Sequence, residues 1–258
     1  FIDESLTSRL RDASRSQNCT LFSFLLSSFK IWIQRVTQQE DIVVGVPMAS
    51  QPTINSSKIS DGSLLVGHCV NMLPIRSQCP PTESFHEFLE RLNKSVLDSL
   101  YHQNFTFGNL LGTLQIKRDT SRVPIISASF NLANANTCDF GQLSANVARP
   151  TKSFNYFDLT LDVIDYGDRL VLEYKFNRDL YETDDVHGWI SQFQRILDQA
   201  VTDPGMKVAD FSLLSSDEQN HLVHELNATA ADYDHAATLH GLLRQQAKQT
   251  PDSIAIRF

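Results

Sequence analysis

The chain has 258 residues, of which 41% are apolar and 20% charged, and its formal net charge is -8. That is enough for one large domain or two small ones around a sizeable core, and it excludes a disorder-like composition. The acidic balance and the lack of any basic run argue against nucleic acid as a partner, since phosphate binding needs clustered Lys and Arg.

In chain order, Leu6 to Ser16 reads as a polar helix with Leu6, Leu10 and Ala13 on one face. Asn18 and Thr20 supply cap chemistry for a second helix over Leu21 to Thr37. It is the most apolar stretch, interrupted by Ser23, Ser27, Ser28 and Lys30, and is expected as a buried helix. No run reaches the roughly 18 apolar residues of a membrane span, and no charged-then-apolar leader is visible, so a cytoplasmic location is expected. Asp41 to Met48 (DIVVGVPM) is a continuous apolar run with β-branched residues, hence a buried strand. Pro52 to Gly62 reads as a loop and Leu64 to Arg76 as an extended segment. Thr82 and Glu83 open an amphipathic helix with Phe85, Phe88, Leu89, Leu92, Val96, Leu97 and Leu100 inward. Tyr101 to Gly112 reads as irregular, and Pro124 to Asn134 as extended.

Phe157 to Phe176 alternates on both sides of Asp165-Tyr-Gly-Asp168 and predicts a hairpin. Thr183 is expected to cap a helix with Val186, Trp189, Ile190, Phe193, Ile196, Leu197 and Val201 inward, ended by Asp203-Pro-Gly205. After Phe211 the character changes. Ser216 starts a short helix, Asn227 to Ala237 is linker-like, Thr238 caps a helix through Ala247, and Ser253 to Phe258 reads as the start of a strand.

Chemical constellations are sparse. The cysteines at 19, 69, 79 and 138 have neither C-x-x-C nor zinc spacing and are expected as free thiols. His221 and His224 share a face without a third ligand, which makes a metal site the less favoured reading. Asp184 and Asp185 suit the first turn of a helix, where the dipole favours them. Asp158 and Asp162 are expected on a solvated strand face. His68 reads as a core or tunnel-lining histidine. Asn71, within VNMLP, needs hydrogen-bond partners if buried; loop tethering and a substrate-channel contact are its two readings. Arg118, Asp119, Ser121 and Arg122 form a polar cluster expected to lock a turn or ion pair. From these residues alone the chain is an α/β domain with a tail, and its function is not legible.

Five segments, in order, resemble the condensation domains of nonribosomal peptide synthetases. They are Thr20–Gln51; VGHCVNMLPIR (Val66–Arg76), similar to V-N-x-L-P-[LI]-R; YHQNFTFGNLL (Tyr101–Leu111), similar to H-Q-x-x-x-F; RDTSRVPIISASFNLAN (Arg118–Asn134), similar to R-D-x-S-R-x-P; and LEYKFNRDLYE (Leu172–Glu182). Thr106 and Gly108 stand where the family has Pro and an acidic residue. The form VGHCVN is similar to domains of mixed polyketide–peptide lines. LLSSDEQNHLVHELNATAADY resembles a condensation–adenylation connector, and LHGLLRQQAKQTPDSIAIRF the opening of an adenylation domain.

The resemblance implies a chloramphenicol-acetyltransferase-like lobe, a mixed sheet packed with helices, over residues 1–214. An interdomain linker over 215–237 and a truncated adenylation start over 238–258 come after it. In such a domain two lobes enclose a tunnel. Phosphopantetheine arms of partner carrier domains bring an acyl thioester and an amine together there for amide formation. Asn71 and His68 are then the substrate-channel residues, while Arg118, Asp119 and Arg122 are structural. The family's H-H-x-x-x-D-G motif is missing from the sequence, so the implied enzyme is a fragment expected to be inactive without the N-terminal lobe. Implied partners are that lobe, peptidyl or aminoacyl carrier domains and the adenylation domain, with no nucleic acid or membrane and no bound metal. The run into an adenylation start argues against an epimerising relative. Ester-forming and heterocyclising relatives, and a non-catalytic platform for carrier and adenylation domains, are the alternatives. Without its partner lobe the fragment is expected to self-associate or be marginally stable.

Overall fold

The computed structural model describes residues 1–49, 70–116, 119, 121–135, 155–232 and 237–257. His68, Cys69, Arg118, Cys138 and the expected loop over 52–62 lie outside the described residues. Packing divides the chain into two units, Phe1–Leu213 and Leu214–Phe258.

The first unit is organised by its most apolar segment. Helix α2 (Leu21–Thr37) starts at Thr20, whose hydroxyl accepts from Ser23 N, and ends at Gln38 in the left-handed conformation. It is buried on nearly every side because α1 (Glu4–Ser16), α3 (Phe85–Tyr101) and α5 (Thr183–Thr202) all pack on it. A helix apolar all round has no other stable environment in water. Phe29 is the centre of this core: it stacks on Trp32 at 5.7 Å and meets Phe130 at 5.8 Å and Phe193 at 6.1 Å.

The helices cover one face of a five-stranded mixed sheet of order β2-β1-β3-β4-β5. Strand β1 (Asp41–Ala49) pairs antiparallel with β2 (Val70–Gln78) and parallel with β3 (Ala128–Asn134). β3 runs parallel to β4 (Leu159–Asp165), which turns into the antiparallel β5 (Leu170–Phe176). Ile42, Val44, Val46, Leu73, Ile75, Phe130, Leu159, Leu161 and Val163 face the helices. Gly45 points to the other face, where a Cβ would sit 2.7 Å from Ile126 Cγ2 and 3.0 Å from the Met72 sulfur. Only glycine lets Ile126 close over β1 there.

Several expectations need correction. Tyr101 to Gly112 is not irregular throughout: Phe107–Leu114 forms α4, capped by the Thr106 hydroxyl accepting from Asn109 N. Two glycines mask its helical propensity, and none of its residues is fully buried. Helix α3 opens at Ser84, not Thr82, through a capping box with Glu87. Its Leu97 is 57% exposed instead of inward. The cap of α5 is Glu182, boxed with Asp185, instead of Thr183. Residues 253–257 form no strand within the described chain.

The second unit holds α6 (Ser216–Asn220), a π-helical turn (His221–Glu225) and α7 (Leu239–Gln249), which Thr238 caps as expected. None of its described residues is buried. No helix among the described residues is long and apolar enough to cross a membrane.

Candidate functional site

Asn71 lies near the start of edge strand β2, opposite Met48 at the far end of β1. Its amide Nδ2 donates to Gln103 O at 2.8 Å and Phe105 O at 3.4 Å, and its Oδ1 accepts from Phe107 N at 3.2 Å. One side chain thus ties β2 to the turn between α3 and α4 and satisfies a free N–H at the start of α4. These contacts tether the α3–α4 turn to the edge strand. Beside Asn71, Val70 of the same strand and Phe105 of the tethered turn remain exposed.

The polar cluster lies at the other end of the sheet. β1 and β3 are parallel, with Val44 beside Ala128, so the residues before β3 share an end with Asp41. Seven residues of strand separate that end from Met48, about 23 Å at about 3.3 Å per residue. Among the described residues, those selected from sequence therefore form two groups and not one constellation. In the second group Asp119 accepts from Ser121 N at 2.9 Å and from Ser121 Oγ at 2.6 Å, which holds its carboxyl below the usual range. It locks a turn. Arg122 lies 3.9 Å from Asp158.

The strand carboxylates are not solvated as expected. Side-chain exposure is 17% for Asp158 and 15% for Asp162. Asp162 pairs with Lys175, and Asp165 accepts from Arg11 at 2.6 Å. Asp162 is partnered from the neighbouring strand β5 and Asp165 from helix α1, pairings that strand alternation alone does not reveal.

Lys30 was legible only as an interruption of the α2 apolar run. It is 0% exposed. Its Nζ donates to Ile42 O at 3.2 Å, Ile75 O at 2.6 Å and Ser77 Oγ at 2.9 Å, joining α2 to both β1 and β2. Burial lowers its pKa to about 7. Burial likewise raises the thiol of Cys19 to about 11 and that of Cys79 to about 12, so neither is an activated nucleophile. His221 Nδ1 meets Glu225 Oε2 at 2.7 Å. Among the described residues no group of three or more His, Cys, Asp or Glu is placed to hold a metal.

The condensation-domain family profile matches residues 1–223. A plipastatin synthase of Bacillus subtilis (strain 168) is 30% identical over 262 residues, covering 99% of this chain and 10% of its own length. A surfactin synthase of the same organism is 29% identical over 259 residues, covering 100% of this chain and 7% of its own. The chain thus spans a tenth or less of these relatives. A holo four-domain nonribosomal peptide synthetase solved with AMP and glycine aligns at TM-score 0.80 and 20% identity, over 98% of this chain and 20% of that one. The condensation domain of the Monacolin K polyketide synthase aligns at TM-score 0.69 and 20% identity, over 81% and 47%. These likenesses establish the chloramphenicol-acetyltransferase-like fold of the sheet and its helices. With the profile spanning most of its length, the chain belongs to the condensation-domain family.

Proposed function

We propose that residues 1–214 are the C-terminal lobe of an amide-forming condensation domain in a nonribosomal peptide synthetase. On this reading 215–237 is the linker, and 238–258 opens an adenylation domain. The observation that carries it is coverage. The chain matches 47% of a condensation-domain structure while 81% of its own length is used, which is the proportion expected of one lobe in two. The 98% match to a multidomain synthetase supports the tail assignment. So does the exposed apolar face of Leu239, Leu242 and Leu243, which suits contact with a further domain.

In the reaction, an amine on one phosphopantetheine arm attacks the thioester carbonyl on the other. The tetrahedral adduct expels the thiolate, and the proton lost by nitrogen ends on that sulfur. The lobe's part is to shape one tunnel wall and hold the two arms in register. Asn71, with His68 nearby in sequence, is assigned to the channel side: its amide fixes the turn at Gln103–Phe107 amid exposed apolar residues. Asp119 and Arg122 are assigned the structural role at the opposite end. The acid–base histidine of the H-H-x-x-x-D-G motif comes from outside these residues.

The test is a peptide-bond assay with two loaded carrier proteins, comparing the chain alone with the chain plus a separately produced N-terminal lobe. Product only in the mixture is expected. Product from the chain alone overturns the assignment. No product from either, with the intact domain active, favours a non-catalytic platform.

A further inference from the structure

A pocket of about 410 Å³ opens where the parallel strands begin, at the end of the sheet remote from Asn71. Its size falls within the roughly 300–1,000 Å³ of small-ligand sites. Its walls include Trp32 and Val36 of α2, Asp41 of β1, Asp158 before β4, Tyr181 before α5, and Trp189 of α5.

Three aromatic rings meet here at steep angles. Trp32 and Trp189 are 5.7 Å apart at 59°, and Tyr181 and Trp189 are 4.9 Å apart at 79°. They form a corner instead of a stack. Two carboxylates, Asp41 and Asp158, join the lining, and no lysine or arginine among the described residues does. Asp41 is already satisfied: Arg76 donates to Oδ1 at 2.9 Å and to Oδ2 at 2.6 Å. Asp158 is different. It is mostly covered, and Arg122 stands 3.9 Å away, beyond hydrogen-bond length, with 55% of its own side chain exposed.

The backbone field points the same way. The last turns of α2 reach the pocket with the negative end of the helix dipole. The opposite pole, at the start of α5, is closed by the Glu182–Asp185 capping box and carries Asp184 as well. Burial, and then Asp158, raise the pKa of the Tyr181 phenol, which keeps that ring neutral. Aromatic walls with a mostly covered carboxylate, a negative helix end and no basic group among the described lining residues suit a cation with an apolar body.

We propose that this pocket binds an alkylammonium group, with Asp158 as its anionic end and Tyr181 and Trp189 as its walls. The site is independent of the condensation reading, and Arg122 is its intramolecular competitor.

Trp32 and Trp189 are the chain's two tryptophans and both line the pocket, so in the folded chain a ligand-dependent change in intrinsic tryptophan emission reads this site. The 258-residue chain is titrated at constant ionic strength with n-butylammonium and, separately, with 1-butanol as its neutral analogue. A saturable emission change with the cation and a weaker response to the alcohol are expected. Asp158→Asn weakens the cation by about 10- to 150-fold, the range of a hydrogen bond to a charged group. Arg122→Ala, at an exposed position, tightens it and serves if Asp158→Asn fails to fold. Equal affinity for the alcohol shows an apolar cleft only and overturns the proposal. So does a non-saturating response, or unchanged cation affinity in Arg122→Ala. If Nα-acetyl-lysine methylamide binds as well as n-butylammonium, the source is a lysine side chain; if only n-butylammonium binds, it is a small molecule.

Discussion

Phe29 and Leu243 each sit on the apolar face of a helix, yet Phe29 is 0% exposed and Leu243 is 65% exposed. The two units differ in this way, with α4 of the first unit, none of whose residues is buried, as the exception. Phe1–Leu213 closes its amphipathic faces on one another, with α2 taken in by three helices and a sheet. Leu214–Phe258 repeats the same sequence grammar of caps and apolar stripes, but its described residues include no buried one. An apolar stripe signals that a face wants a partner, and it does not say whether the partner lies within the same chain segment. Helix formation and helix burial are therefore separate inferences, and only the first is local.

The sharpest way to break this comparison is Phe29→Ala. The ring is fully buried against Trp32, Phe130 and Phe193, and such truncations cost about 3–5 kcal/mol. Urea unfolding followed by tryptophan emission is expected to show a lowered midpoint with an unchanged slope. A loss below about 1 kcal/mol would mean that Phe29 is not the core's centre.

Lys30 gives the next largest effect and concerns the same core. Its pKa falls from 10.5 unfolded to about 7 folded. Between those values the unfolded chain holds a proton that the native chain does not, so stability rises with pH and is lost as pH falls toward 7. Cys79 and Cys19 act in the opposite sense: their thiols rise from 9.0 to about 12 and about 11, so their contributions decline as pH rises through 9. The clean window is pH 7 to 9, where Lys30 is expected to add about 2 kcal/mol. Urea midpoints across that window measure the gain, and Lys30→Met should flatten it. An equal slope in Lys30→Met would assign the dependence to another group.

These residues also mark where sequence reading stops. The span of α2, the β4–β5 hairpin and the cap at Thr238 were legible because each is written in local chemistry: Thr20, the turn at Asp165–Asp168, and Thr238. Helix α4 was not, since Gly108 and Gly112 lower its propensity and its cap is assisted by Asn71, 36 positions upstream. Lys30 reads in sequence as a polar break; its three acceptors lie 12 to 47 positions away. The separation of Asn71 from Asp119 and Arg122 follows from the parallel pairing of β1 with β3, and parallel order is set by long crossovers that leave no short-range mark.

The smallest expected effect tests the other side of the comparison. In the 258-residue chain Leu243→Ala is expected to change stability by no more than about 0.5 kcal/mol, the usual range for an exposed position. Alanine's helix propensity exceeds leucine's slightly, so even the sign is open to a small gain. In a chain extended through an adenylation domain, the same substitution should cost about 2–5 kcal/mol if that domain covers the α7 face, because the side chain then leaves a cavity. Hydrogen exchange at α7 reads both cases with no reliance on the tryptophans of the first unit. Protection in the extended chain that Leu243→Ala removes would show that the added domain completes the tail's apolar face. Fast exchange in both chains would show instead that α7 is a solvated linker helix, and the adenylation assignment of residues 238–258 would lose its physical support.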